Sequence, residues 1–477
     1  MANNALVWFR RDLRRADNPA LLAASDWARE QGGRLLAVYI DDQPGAWAEG
    51  AASRWWLHHS LAAFAASLNA LGNGLHLRRG VALTELRSLI DAADIGAVFW
   101  NRLYEPELIE RDRTIKSALR DAGVAVESFN GGLLNEPWEL RTKSGGPYKV
   151  FTPFSKAQRE FIVAEPLPSP AALPPPPELT QGLALADLRL LPTLSWDAGF
   201  IETWKPGESS AMAMLDDFAD GPVARYQAER DLPARPATSR LSAALHFGEI
   251  SPRQAWHAAQ SAQGEAAEPW LRQIQWREFA HHLLFHFPHT ATEPLNPAYA
   301  SFPWRDDYAA DLAAWQRGQT GIPIVDAGMR ELWHTGWMHN RVRMLVASLL
   351  TKNLLIPWQE GARWFWDTLV DADLPNNTLG WQWTAGCGAD AAPYFRIFNP
   401  VTQGEKFDPD GRYVRRWLPE LKRLPDKWLH KPWQAPAEIL RGSGVSLGAS
   451  YPAPIVDLAE SRQIALDLWA NEVRGRH

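Results

Sequence analysis

The sequence predicts two domains, an α/β domain followed by an all-helical domain, and three observations support this prediction. Over residues 5–130, short apolar runs alternate with longer helical stretches, as in a Rossmann-like parallel sheet covered by helices. Residues 166–177 then carry seven prolines, which favour an extended path. From residue 206 onwards, aromatic residues recur at three- and four-residue spacing without strand alternation, and this spacing indicates helices.

Five short apolar runs in the first part predict buried strands. They are ALVWF at 5–9, RLLAVYI at 34–40, LHL at 75–77, AVFW at 97–100 and VAVESF at 124–129. Between the second and third runs, an apolar residue recurs at helical spacing, which predicts a helix that covers the sheet. The residues of this stripe are Leu57, Leu61, Phe64, Leu68 and Leu71.

The turn after the first predicted strand reads FRRDLRRADNP and not GxGxxG. Because the glycine fingerprint of dinucleotide-binding domains is missing there, the α/β domain need not hold a dinucleotide. The composition predicts an α/β domain at 1–130, a Pro-rich interdomain linker at 131–205 and a helical domain at 206–477.

The charge balance excludes a generally basic nucleic-acid binder, since 49 Lys and Arg face 55 Asp and Glu and the net charge is −6. Any DNA contact must come from a local patch.

The single cysteine, Cys387, excludes a disulfide framework and a multi-cysteine metal site. The apolar runs are shorter than the roughly 18 residues of a membrane span, and MANNALVWFRRDLRR lacks the pattern of a secretory signal. We therefore expect a cytoplasmic monomer with no metal and no membrane partner.

The stretch DADLPNNTLGWQWTAGCGADAAPYFRIFNP, residues 371–400, brings acids, amides and indoles together. Each of these residues alone fits a helix cap, a turn or the core. With TQGEKFD after it, and with WFRRDLR and PYKVFTPF earlier in the chain, the stretch resembles the photolyase/cryptochrome family, and most of all the class I cyclobutane pyrimidine dimer photolyases. The resemblance implies light-dependent repair of UV-damaged DNA, in which excited reduced FAD passes one electron to a flipped-out dimer.

The resemblance implies that FAD lies in the helical domain. TSRLS would contact its phosphates, Arg343 would pair with Asp371 beside the flavin, and Asn377 would face flavin N5. The full set of implied cofactor-binding residues is Tyr226, Thr238, Ser239, Arg240, Leu241, Ser242, Trp270, Arg277, Trp337, Asn340, Arg343, Asp371, Asp373 and Asn377.

The same resemblance implies a lesion pocket and a basic rim around it. The implied catalytic residues are Gln273, Trp276, Asn340, Met344 and Trp383, and the implied DNA-binding residues are Arg230, Gln273, Trp276, Arg341, Arg396, Thr402, Gln403 and Lys406. Gln273 departs from the glutamate that dimer photolyases usually carry, and (6-4) photolyases share the glutamine. Those enzymes, however, place two histidines where this chain has Asn340 and Met344, so dimer repair is the favoured reading and (6-4) repair the alternative.

Three tryptophans, Trp304, Trp358 and Trp381, match the family's relay of indoles from the flavin to the surface. An antenna chromophore is also implied, either methenyltetrahydrofolate or a deazaflavin. Where folate-using members carry an Asn-Glu pair, this chain has Glu107 and Leu108 in YEPELIERDR.

Two further readings stay open. A cryptochrome-like photosensor would bind FAD without repairing DNA, although Asn377 and Met344 favour repair. A scaffold that binds no flavin is the remaining alternative, and the absorption spectrum of the protein decides it.

Overall fold

In the computed structural model, which describes residues 2–42, 45–179, 182–391 and 395–474, a parallel α/β domain precedes a largely helical domain. The predicted fold class is therefore confirmed. Tyr394, in the DAAPYFRIFNP motif, lies outside the described residues.

The α/β domain alternates strands and helices along the chain. Its elements are β1 Asn4–Phe9, α1 Pro19–Glu30, β2 Leu35–Asp41, α2 Ala51–Asn69, β3 Leu75–Arg79, α3 Ala82–Ala92, β4 Ile95–Asn101, α4 Pro106–Asp121 and β5 Ala125–Phe129. The strands form one parallel sheet in the order β3-β2-β1-β4-β5. All five predicted strands are thus present, and the order reverses direction between β1 and β4.

Both faces of the sheet are covered, which explains why its strands are apolar along their length. Alternate residues of β1, such as Leu6 and Trp8, pack with α3 and α4. The other face packs with α1 and α2. Helix α2 carries the predicted apolar stripe from Leu57 to Leu68, and Leu71 lies just past its end and packs against the same core. Phe247 and Trp337 of the helical domain join this second core, so the two domains share apolar packing.

Residues 131–205, predicted as a linker, contact both domains. Leu173 and Leu188 join an apolar core of the α/β domain, whereas Phe151 and Phe154 pack with Phe279 of the helical domain. The proline-rich part is held by hydrogen bonds, because Asn73 Nδ2 donates to the Pro174 carbonyl at 2.7 Å and Leu35 N donates to that of Pro175 at 3.2 Å. The segment also contains two short helices, α5 Phe151–Gln158 and α6 Ala198–Thr203. The domain boundaries at 130 and 205 stay predictions.

The second domain is a packed array of helices. Its helices are α7 Glu208–Ala219, α8 Pro222–Glu229, α9 Ser242–His246, α10 Pro252–Gln263, α11 Glu268–His286, α12 Ala309–Gln316, α13 Pro323–Thr335, α14 Asn340–Ser348, α15 Trp358–Thr368, α16 Leu374–Ala385, α17 Pro400–Phe407, α18 Arg412–Trp417, α19 Asp426–Leu429, α20 Ala437–Ser443 and α21 Leu458–Glu472. A π-helical turn, Leu349–Asn353, follows α14. None of the helices in the described ranges combines the length and the apolar character that crossing a membrane requires.

Candidate functional site

Helix α16 carries Asn377, Trp381 and Trp383 into the centre of the helical domain. It begins after Asp373, whose carboxylate accepts a hydrogen bond from Asn376 N at 3.1 Å, and Pro375 occupies the first turn. An aspartate cap followed by proline is a strong start signal for a helix. The acids and amides of this stretch therefore fix where the helix begins, and they also lie around it.

Asp373 is buried between two histidines. His246 Nδ1 lies 3.1 Å and His281 Nε2 lies 4.0 Å from its Oδ2. Because an ionised carboxylate only accepts, Nδ1 of His246 donates this hydrogen bond. Burial opposes ionisation, but His281, His246 and Arg277 together hold the pKa of Asp373 well below its usual range. The site therefore contains a buried negative charge at the start of α16.

Arg343 and Asp371 form an ion pair, as the resemblance implied. Arg343 Nη2 lies 2.8 Å from Asp371 Oδ2, and Arg343 Nε donates to the Met338 carbonyl at 2.7 Å. The pair joins α14 to the segment that leads into α16. Its second hydrogen bond fixes the direction of the guanidinium.

The TSRLS segment packs against two predicted cofactor-binding tryptophans. Trp270 Nε1 donates to Ser239 Oγ at 3.3 Å. The guanidinium of Arg240 lies 4.7 Å from the ring centre of Trp337 and 4.3 Å from that of Trp204. Arg240 has a φ of +55°, a left-handed conformation that non-glycine residues seldom adopt. Such strain is typical of sites where a side chain must point in one direction.

Three buried polar atoms of this region have no hydrogen-bond partner in the described part of the chain. They are Arg240 Nε, His246 Nε2 and Trp381 Nε1. Because buried polar atoms in proteins are nearly always paired, these unpaired donors and acceptors favour the binding of a polar ligand in this region. The residues present therefore fit a flavin cofactor.

The remaining predicted cofactor residues lie around this core. Asn377 Nδ2 donates to the Ala362 carbonyl at 3.0 Å, and Arg277 Nη1 donates to that of Gly132 at 2.8 Å. Tyr226 and Leu241 are buried, Thr238 is half-buried and Ser242 is exposed. Their contacts to FAD stay predictions.

Gln273 and Trp276 lie on one face of α11. Arg230 Nη2 donates to Gln273 Oε1 at 3.3 Å, so the amide oxygen is already held by a cation. Trp276 stacks on Phe151, with ring centres 3.6 Å apart and planes 6° apart. Both residues are half-buried, which leaves part of each side chain open for contact.

Trp383 is connected through Asp390 to Phe151, the residue that stacks on Trp276. Trp383 Nε1 donates to the Asp390 carbonyl at 3.1 Å, and the Asp390 carboxylate accepts from Phe151 N at the start of α5. The Trp383 ring packs on Phe398, with centres 6.4 Å apart. Each indole is thus backed by a different phenylalanine.

Asn340 begins α14 and is exposed, whereas Met344 is half-buried one turn further on. Arg341 forms an ion pair with Asp231 at 2.8 Å, and its guanidinium lies 4.4 Å from the ring centre of Phe407. This predicted DNA contact is therefore partly neutralised by a carboxylate.

The other predicted DNA-binding residues lie on or before α17. Thr402, Lys406 and Arg396 are exposed, and Gln403 is half-buried. Lys406 Nζ lies 5.1 Å from the ring centre of Phe407, so it borders Arg341. Whether these residues contact DNA stays a prediction.

The three predicted relay tryptophans all belong to the largest apolar core. Trp381 and Trp358 are each 2% exposed, and Trp304 is partly buried. The rings that lie nearest Trp381 are Phe365, at 5.0 Å between ring centres, and Trp315, at 6.2 Å. Trp315 is therefore an additional candidate, which the sequence reasoning did not include.

A cavity of about 280 Å³ lies where the strand order reverses. Arg10 and Arg11 after β1 and Asp42 after β2 line it, and so do Glu107 and Leu108 of α4. The helical domain contributes Trp366 and Leu374. Open α/β sheets bind ligands at the carboxyl ends of their strands at such reversal points.

The sequence reasoning missed three residues of the site. His246 pairs with Asp373, Phe151 supports Trp276, and Asp390 connects Trp383 to α5. Phe151 and Asp390 lie inside the motifs PYKVFTPF and DAAPYFRIFNP, so the motifs contained the signal. His246 carried none, because a lone histidine more often occupies the core.

Comparison with known families agrees with this arrangement. Residues 270–471 match the family described as the FAD binding domain of DNA photolyase, and residues 5–174 match the family described as DNA photolyase. The fold and the site thus define a two-domain flavoprotein whose helical part is an FAD-binding domain.

Individual relatives match over nearly the whole chain. The chain is 50% identical over 471 residues to the deoxyribodipyrimidine photo-lyase of Agrobacterium fabrum, with 98% of this chain and 97% of the relative covered. It is 40% identical to cryptochrome-2 of Arabidopsis thaliana, with 97% and 78% covered. The crystal structure of a bacterial class III photolyase from Agrobacterium tumefaciens superposes with a TM-score of 0.93 at 49% identity, covering 98% of this chain and 97% of that chain. The chain belongs to the photolyase/cryptochrome family.

Proposed function

We propose that the protein is a light-dependent DNA repair enzyme of the deoxyribodipyrimidine photo-lyase type, which splits cyclobutane pyrimidine dimers. The observation that carries this proposal is the 50% identity over 471 residues to the photo-lyase of Agrobacterium fabrum. The arrangement of Trp276, Trp383 and Gln273 around one face of the helical domain supports it.

The protein's own residues hold and orient the two reactants. Arg343, Asp371 and Asn377 would hold the flavin ring, and Ser239 and Arg240 would bind its phosphates. When bound, FAD supplies the chemistry, because its light-excited reduced form donates one electron to the dimer. No side chain needs to act as a nucleophile.

Trp276 and Trp383 would contact the dimer through their flat faces. Each is half-buried and is supported from behind by a phenylalanine. A damaged pair is easier to flip out of the duplex than an intact one, because its stacking is already weakened. A rigid aromatic wall would then receive it.

The lesion class is argued from Asn340 and Met344. Neither can transfer a proton as a histidine pair would, so the pocket suits ring opening by electron transfer alone. Gln273 keeps a hydrogen-bonding amide without negative charge, and Arg230 holds its oxygen.

For the subclass, we propose class III where the sequence reasoning favoured class I. The support is the 49% identity and the TM-score of 0.93 to the class III photolyase from Agrobacterium tumefaciens.

We assign the antenna chromophore to the cavity of about 280 Å³. Its volume lies near the lower end of small-molecule sites, and its walls combine arginines, acids and the indoles Trp47 and Trp366. Such walls suit a planar heteroaromatic ring with a hydrogen-bonding edge, as in a pterin or a deazaflavin. Extraction of the purified protein followed by mass spectrometry decides between the two.

A repair assay in light and in darkness tests the main proposal. We expect loss of dimers from a dimer-containing duplex only under light, and no loss of (6-4) products from a matched duplex. Flavin photoreduction without any repair would instead support a photosensor. This is the second candidate function, and the 40% identity to cryptochrome-2 supports it. Repair of the (6-4) duplex alone would overturn the lesion class.

A further inference from the structure

The arginine-rich turn after β1, FRRDLRRADNP, borders two cavities. One is the cavity of about 280 Å³ assigned to the antenna chromophore, which we call the antenna cavity, and the other is a smaller cavity of about 30 Å³, which we call the inner cavity. Arg11 and Glu105 line both of them. Because Arg11 Nη1 forms an ion pair with Glu105 Oε1, this pair belongs to the wall that the two cavities share.

The inner cavity reaches the predicted flavin site. His246, His281 and Asp373 of the helical domain line it, and they form the buried cluster at the start of α16. Three further atoms in its wall, Arg14 Nε, Asn101 Oδ1 and His246 Nε2, have no hydrogen-bond partner in the described part of the chain. A polar space of this size can hold water, so the inner cavity connects the turn to Asp373 through polar groups.

Two segments of the helical domain contribute neighbouring residues to the two cavities. Phe247 and Leu374 line the antenna cavity, whereas His246 and Asp373, which directly precede them in the sequence, line the inner cavity. Helix α9, which follows the predicted phosphate-binding segment TSRLS, ends at His246, and α16 begins at Leu374. The elements that would hold the flavin therefore also form one wall of the antenna cavity.

The turn after β1 is packed closely on the first of these segments. Leu13 N donates to the Phe247 carbonyl at 3.2 Å. Gly248 has a φ of +65°, and a Cβ at this position would overlap the carbonyl oxygen of Arg11. Because the two backbones are in direct contact, a displacement of the turn also displaces residues 246–248.

The charge of Arg11 also acts on both sites. Burial opposes this charge, but Glu105, Glu49 and Asp373 together raise the pKa of Arg11 above its usual value. Arg11 Nη2 lies 3.0 Å from Glu49 Oε1, and Glu49 lines the antenna cavity. One guanidinium thus attracts a carboxylate of the antenna cavity and the buried carboxylate of the flavin site. A ligand that excludes water from the antenna cavity strengthens these attractions, because it lowers the effective dielectric constant around them.

We propose that Arg11 and Glu105 link the two sites, so that a pterin or deazaflavin in the antenna cavity and FAD in the helical domain bind with positive cooperativity. This inference rests on the antenna and FAD sites proposed above. A ligand in the antenna cavity would fix the Arg11–Glu105 pair and, through it, Asp373 and His246. The flavin site would then be ordered in advance, which lowers the cost of the second binding event. Because linkage is reciprocal, bound FAD would raise the affinity for the antenna chromophore by the same factor.

The test measures how fast FAD dissociates from the full-length, FAD-loaded protein after any antenna chromophore has been removed. Fluorescence of the released flavin gives the rate in darkness, without a probe and with saturating methenyltetrahydrofolate or a deazaflavin. We expect the probe that binds to slow FAD dissociation roughly fivefold or more. In Glu105→Gln, which keeps the size of the side chain but removes its charge, we expect this effect to fall to about twofold or less. The reciprocal measurement compares the affinity of the same probe for FAD-loaded and flavin-depleted wild type, and it should give the same factor.

The matched control is Glu208→Gln, which removes another ion pair of the same turn. Glu208 Oε2 of α7 lies 2.9 Å from Arg15 Nε, and in the described part of the chain neither residue lines the antenna cavity or the inner cavity. This variant should keep the full wild-type effect of the probe, and an equal loss in it would overturn the proposal. Binding of a probe without any change in FAD dissociation would overturn the linkage and leave the antenna site standing. If neither probe binds, the antenna site and the linkage both fall, whereas the repair function is tested separately by the repair assay.

Discussion

Arg343 binds both carboxylate oxygens of Asp371, with its Nη2 3.1 Å from Oδ1 and 2.8 Å from Oδ2. The side chains are only 23% and 3% exposed, so the pair is largely removed from water. Its position between α14 and α16 makes it a bridge between the predicted lesion residues and the predicted flavin residues.

Arg343→Gln is expected to lose bound FAD and to lower the free energy of unfolding by about 3 kcal/mol, because it leaves Asp371 buried and unpaired. The flavin-to-protein absorbance ratio and chemical denaturation measure the two effects. The control is Arg363→Gln, because Arg363 is 65% exposed in its pair with Glu360 on α15, and an exposed helical pair of this kind contributes about 0.5 kcal/mol. Full flavin content in Arg343→Gln would contradict the assignment.

Trp276→Ala is expected to weaken binding of dimer-containing DNA by about 1–3 kcal/mol, because it removes the stacking face. Titration in darkness measures the affinity, and flavin content should not change. Trp333→Ala is the matched control, since Trp333 is exposed and stacks on Trp364 in another part of the surface. An equal loss for undamaged DNA would argue against a lesion-specific role.

Gln273→Glu is expected to weaken DNA binding without improving repair of bound dimers. The new carboxylate would pair with Arg230, which already donates to this position, and would remove one cation from phosphate binding. The salt slope should fall by about 1. Gln263→Glu on α10 adds the same charge elsewhere. A higher quantum yield of repair in Gln273→Glu would show that charge at the dimer is limiting.

Trp381→Phe is expected to abolish light-driven reduction of oxidised flavin, while repair by chemically reduced protein continues. The reason is that indole is oxidised more easily than a phenyl ring, so the predicted relay would lose its first donor. Transient absorption after a flash measures the reduction. Parallel Trp358→Phe, Trp304→Phe and Trp315→Phe variants identify the route. A defect confined to Trp315→Phe would show that electrons pass through Trp315 and not through the predicted relay.

Glu249 is expected to make stability fall as pH rises. It is 1% exposed, accepts from Trp56 Nε1 at 3.0 Å and from Gly207 N at 2.7 Å, and burial raises its pKa from 4.5 to about 7. For an acid whose pKa is raised by folding, stability is fully present below 4.5 and is lost as pH rises through about 7, by about 3 kcal/mol. The free energy of unfolding of Glu249→Gln should therefore increase relative to that of the wild type between pH 5 and pH 8, as measured by denaturation curves. Parallel curves for the two proteins would contradict this.

The fold class was readable from the sequence because it depends on local periodicity. The apolar runs of β1 to β5 and the stripe on α2 repeat at the spacing of strands and helices, so burial on a sheet face follows from them. The cap of α16 was readable for the same reason, since Asp373 and Asn376 are three residues apart.

The residue partners in the site were decided by the tertiary structure. His246 and Asp373 are 127 positions apart, and Phe151 reaches Trp276 only because α5 lies on α11. Arg341 could be listed as a cation from the sequence, but its pairing with Asp231 depends on how α14 packs beside the end of α8.

The sequence by itself determined the order of the strands and helices along the chain, the location of the motifs and the chemical types present at the site. The tertiary structure alone decided which side chains touch, which charges are neutralised and where a cavity remains. The physical reason is that periodicity and capping act over a few residues, whereas contact between distant segments depends on how whole elements pack.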